Sequence, residues 1–150
     1  MATFNSVNFF ARNLAYGIHD FRATSTTLKI ALSNSAPVAS TTDTLATAAE
    51  ISATNGGYTA GGLDVANVAS TAGAWTAATD TMKVLSATGV SWTASSAGGA
   101  FPSFRYVILY DDTQASDAIL GWWDYGSQVA LSTGDQFIVD FGASLFTINV

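Results

Sequence analysis

Between Phe104 and Val150 the chain runs as four strand-length apolar stretches, Phe104–Tyr110, Ala118–Tyr125, Gln136–Phe141 and Leu145–Val150, each set off by a short polar break. No other part of the sequence restricts the fold as much. The breaks carry Gly, Ser, Asp or Thr, and the stretches are rich in β-branched and aromatic residues, which suit pleated strands better than helices. Phe104, Tyr106, Ile108 and Tyr110 alternate with Arg105, Val107 and Leu109, so the first stretch is apolar on both faces. A strand of that kind is buried on both sides. It is expected to be the central strand of a sheet.

At 150 residues the chain fits one domain. It has no cysteine, so neither a disulfide nor a thiolate metal site can hold it together. Charged residues make up only 11%, against about 25% in a typical soluble domain. Mean hydropathy is +0.30. Yet no run approaches the roughly 18 apolar residues of a membrane helix, and the first residues lack the basic start and unbroken apolar core of a signal peptide. A surface built from Ser, Thr, Ala, Gly and Asn suits a protein that buries much of itself against other subunits. The formal net charge is −6 and the five Lys and Arg are scattered, so there is no basic patch of the kind that nucleic-acid binding needs.

Residues 1–22 form the one segment with helical spacing and are expected to make an N-terminal helix or arm. Phe4, Val7, Phe10 and Leu14 recur at three- and four-residue intervals. Thr3 and Asn5 are candidate N-caps and Gly17 a candidate stop. At a chain end such a segment either folds back on its own sheet or docks on a neighbour, and both options stand. His19 is the only histidine. With no second histidine or cysteine to accompany it, a structural role outweighs a catalytic one.

Residues 23–150 are expected to be a single β domain. Thr27–Ser33 reads as a strand with Leu28, Ile30 and Leu32 on one face, followed by a loop through Pro37. Leu45–Ile51 suggests a helical turn. Asn55–Gly62 sets four glycines around Tyr58. It lacks the lysine and spacing of a phosphate cradle, so it reads as a tight loop anchored by that tyrosine. Further strands are expected at Leu63–Val68, Gly73–Thr76, Thr81–Leu85 and Gly89–Thr93, with Pro102 just outside the central ladder. The last strand should place Phe146, Ile148 and Val150 on one face. Turn signals at such short intervals indicate an antiparallel β-sandwich or a jelly-roll-like barrel.

Trp122 and Trp123 are adjacent, so on a strand one should enter the core while the other lies on the outer face beside Leu120 and Asp124. An outer tryptophan could stack on a sugar ring or anchor an oligomer. Asp111, Asp112 and Asp117 lie close together but do not match the spacing of a calcium loop. Asp124 and Asp140 are the nearest approach to a carboxylate pair, and edge positions suit them better. No nucleophile elbow, zinc-protease motif or P-loop is present. The residues point to no cofactor, no metal and no catalysis.

Several runs, taken in order, carry a resemblance. Gly17–Asp20 leads into Thr27–Leu32, then Ser33–Val38, the loop Asn55–Gly62 and the Ser91–Trp92 strand. Arg105–Asp112 and Leu120–Gly126 follow. This order and spacing resembles a group of small virion structural proteins of tailed bacteriophages, among them capsid decoration or cement-type proteins. The Trp122–Trp123 pair departs from the simpler glycine–aromatic pattern of that group. The resemblance implies a β-rich accessory subunit, assembled in the bacterial host cytoplasm and carried on the capsid exterior. It implies a homotrimer at three-fold or quasi-three-fold positions, with the major capsid protein as partner and no contact with nucleic acid or membrane. Phe4, Val7, Phe10, Leu14, Tyr58, Trp122 and Trp123 are the candidate interface and anchor residues. The rival expectations are a carbohydrate- or receptor-binding module of a tail or fibre, with Trp122, Trp123 or Tyr125 as platform, and a head or tail completion subunit.

Overall fold

The computed structural model describes residues 2–21, 27–51, 55–65, 74–76, 81–84, 89–141 and 145–149. The described residues form antiparallel sheets and one short helix, an all-β fold. The strands are β1 (Phe4–Ser6), β2 (Leu28–Ser33), β3 (Leu63–Asp64), β4 (Ala74–Thr76), β5 (Thr81–Val84), β6 (Val90–Thr93), β7 (Phe104–Asp111), β8 (Ala118–Val129), β9 (Gln136–Val139) and β10 (Phe146–Asn149), and the helix is α1 (Phe9–Ala15). A five-stranded sheet has the order β1-β8-β7-β2-β3; β10-β5-β4 and β6-β9 form smaller sheets. Of the expected strands, residues 66–68, 73, 85 and 150 lie outside the described residues.

β7 is the central strand, as its two apolar faces require. Val107 and Leu109 join Leu28, Ile30, Leu32 and Leu120 in one core cluster, while Tyr106, Ile108 and Tyr110 join Ala31 and Ile119 in a second. Ile30, Leu32, Ile108 and Leu109 are fully sealed from solvent. Burial of each such side chain contributes about 1.5–3 kcal/mol. Phe104 departs from the expected alternation. It shares parity with Tyr106 yet packs in the first cluster, and the ladder to β8 is irregular between these two positions.

The N-terminal segment is not one long helix. Phe4–Ser6 pairs antiparallel with the edge of β8, and only Phe9–Ala15 is helical. Asn8 holds the N-cap position, without a side-chain cap; the expected cap Asn5 instead donates to the Thr3 carbonyl. The stop is where the sequence placed it. Gly17 has φ +69°, its N–H donates to the Leu14 carbonyl, and the Ile18 N–H donates to that of Asn13. This is a Schellman end, and the left-handed conformation favours glycine. Helical spacing in Phe4, Val7 and Phe10 misleads here because open backbone on β8 offers the first residues a ladder. Gly121 makes that ladder possible: a Cβ there would collide with the Asn5 carbonyl oxygen and the Phe4 ring.

Candidate functional site

One bulge in β8 decides what its two tryptophans do. Leu109 pairs with Gly121 but Tyr110 pairs with Ile119, which leaves Leu120 as an extra residue. An extra residue shifts the faces of a strand. Trp123 therefore faces the first core cluster, with its ring 4.8 Å from that of Phe4 and 5.6 Å from that of Phe141. Trp122 faces the second cluster. Both are half-buried, and Leu120 is fully buried. This corrects the expected outer face: it is itself covered, and neither tryptophan stands on it as an open platform beside Leu120.

Other candidate residues are also committed to the chain's own interior. Val7 is buried, and Phe4, Phe10 and Leu14 pack against the core, so the N-terminal segment folds back on its own sheet. Tyr58 is the anchor of the glycine loop, as expected. It is buried, its hydroxyl accepts from the Leu32 N–H (3.1 Å) and donates to Glu50 Oε1 (2.5 Å). Burial, reinforced by the Glu50 hydrogen bond, pushes that hydroxyl's pKa far above its ordinary value. It is held neutral. Gly61 joins the same network through its N–H to Glu50 and its carbonyl to the Tyr110 hydroxyl.

The carboxylates are likewise engaged. Asp124 receives two hydrogen bonds from Arg105, at 2.8 and 2.9 Å, and one from the Gly126 N–H. The Arg105 guanidinium, then the Gly126 amide, hold its pKa below the ordinary value. Asp112 pairs with Lys29 at 3.0 Å, and its hydrogen bond is the main cause that raises the Lys29 pKa. Asp111 is buried at the end of β7, where it meets His19. Among the described residues no three acidic or histidine side chains gather as a metal site would need. His19 sits among the rings of Phe10 and Phe21, and its side chain is sealed from solvent.

Among the described residues, a groove of about 150 Å³ is open to a ligand. Trp123, Phe137 and Phe141 contribute aromatic walls, and Leu145 also lines it. At its mouth stand Tyr125 and Ile138, which are 57% and 58% exposed. Asp140 is the one charged residue among the described lining. Of the aromatic residues singled out in the sequence, Trp123 and Tyr125 line this groove. Phe137, Ile138 and Phe141 were missed as site residues, because nothing local shows that β9 lies beside the far end of β8. Comparison with family models, with characterised proteins and with solved structures gives no match for this chain.

Proposed function

We propose that this protein is a non-catalytic virion subunit of tailed bacteriophages, a decoration or cement protein on the outer face of the capsid. The observation that carries the reading is a charge-poor surface on which two large apolar residues, Tyr125 and Ile138, flank an aromatic groove. Exposed apolar side chains gathered at one place mark a binding face. The order of sequence runs that resembles phage head proteins gives that face its target, the major capsid protein. A subunit repeated around a shell needs only a modest interface, because many copies act together. The −6 charge favours the exterior, away from packaged DNA.

The same reading extends to the architecture. Val90, Trp92 and Phe137 of β6 and β9 share a core cluster with Ile30, Leu32 and Leu109 of the five-stranded sheet. That supports two sheets packed face to face, a β-sandwich. Adding the purified protein to expanded capsids that lack it tests the function: saturable binding is expected, and native mass spectrometry should give a homotrimer. Failure to bind any shell would remove the reading. A second reading, a carbohydrate- or receptor-binding module, draws on Tyr125 and Trp123 at the groove. Tyr125-dependent glycan binding without shell binding would establish it.

A further inference from the structure

We propose that the groove between β8 and β9 seats a single aromatic ring from a protein partner, carried next to a lysine or arginine. This rests on the reading of the protein as a binding subunit and names the chemistry its partner must present. Size is the first argument. A groove of about 150 Å³ has room for a benzene-sized group, whereas pockets for larger ligands run from roughly 300 Å³ upward. The walls are the second. Phe137 and Tyr125 meet edge to face at 5.6 Å, and Trp123 is tilted against Phe141 at the same distance. Two ring pairs of this kind offer both edges and faces to an inserted ring, the geometries aromatic contacts prefer.

Charge supplies the third argument. Asp140 lies at the groove in a chain of net charge −6, so a cationic flank on the partner is attracted and an acidic one repelled. A hexose fits less well. It needs several directed hydrogen bonds, and the lining is mainly apolar. Tyr125 and Ile138 stand exposed at the mouth, where an inserted ring would cover them.

The test uses the full chain, isotope-labelled, in a nuclear magnetic resonance titration with acetyl-Lys-Phe-amide and with acetyl-Glu-Phe-amide. The lysine peptide should shift the signals of Tyr125, Phe137 and Ile138 and bind several-fold more tightly than the glutamate peptide. Ile138→Asp, at a position 58% exposed on β9, should weaken it about tenfold, the size of effect seen at interface anchors, with an unchanged amide spectrum outside the groove as the check on folding. Asp140→Lys should reverse the preference between the two peptides. Equal binding of both peptides, shifts elsewhere, no shifts, or the same shifts with methyl glucoside would overturn the proposal. Expanded capsids separate it from the reading beneath it. If the unaltered protein and Ile138→Asp bind shells equally, the groove proposal fails and the capsid reading stands. If the lysine peptide binds as expected but no shell does, the capsid reading fails alone.

Discussion

Nδ1 of His19 lies 3.1 Å from Oδ2 of Asp111, and both side chains are closed to solvent. The pair ties the segment after α1 to the end of the central strand, 92 residues further along the chain. Asp111 Oδ1 also accepts from the Thr113 N–H, whereas His19 Nε2 has no hydrogen-bond partner among the described residues. Removing one member of this buried hydrogen-bonded pair leaves a polar group of the other unsatisfied, at a cost of about 1–3 kcal/mol. His19→Ala and Asp111→Ala should each destabilise by that amount in urea denaturation. The double variant should lose clearly less than the sum. Additive losses would show that the two side chains act independently.

Gly62 and Gly134 both have positive φ, +66° and +94°, but only one is crowded. A Cβ at Gly134 meets nothing within 4 Å, while one at Gly62 would run into the carbonyl oxygen of Ile30 on β2. Gly134→Ala should therefore cost only the left-handed conformation, about 1–2 kcal/mol. Gly62→Ala must also push apart the backbone where β3 meets β2. It should lose more than about 4 kcal/mol or fail to fold. Equal thermal midpoints for the two variants would contradict this account.

Local pattern made β2 and β7 legible, because their alternation of apolar faces is set by neighbours in sequence. Leu28, Ile30 and Leu32 lie together in one cluster as their spacing required. The tryptophan pair was legible only in half. Period-two alternation sends Trp122 and Trp123 to opposite faces, but which face each takes depends on the extra residue at Leu120, and a bulge leaves no local mark in an apolar run. Phe4–Ser6 was misread for a related reason. Whether three residues form a strand is decided by the partner edge on β8, more than a hundred residues away, and not by their own spacing. The His19–Asp111 pair and the meeting of Tyr125 with Phe137 are also products of topology.

The Tyr58 hydroxyl offers a sharper test of the glycine loop than any glycine does. It is the acceptor for the Leu32 N–H, a backbone group on a buried strand. Tyr58→Phe keeps the ring against Trp92 and Phe101 but leaves that N–H and one Glu50 interaction unmet. A buried donor without an acceptor costs about 1–3 kcal/mol. Hydrogen exchange at Leu32 should accelerate in the variant, while amides of β9 change only through the global loss of stability. In the unaltered protein, alkaline spectrophotometric titration should show Tyr58 ionising only once the fold opens, because burial raises its pKa.

Arg105 and Asp124 make the acid response of the fold measurable at one site. The Asp124 carboxyl is held below its ordinary pKa of 3.8 by the Arg105 guanidinium and the Gly126 amide. A carboxyl whose pKa is lower folded than unfolded binds its proton more readily in the unfolded chain. Its contribution to stability is thus fully present above the unfolded value, and it is lost as pH falls from there through the lower, folded value. Asp124→Asn removes the titrating group but leaves the position polar. The stability difference between the unaltered protein and this variant should be constant from pH 7 to 5 and shrink as pH drops below about 3.8. Both partners are partly exposed, so high salt should diminish the difference at neutral pH as well. Parallel pH profiles for the two proteins would show that the pair adds nothing to the folded state.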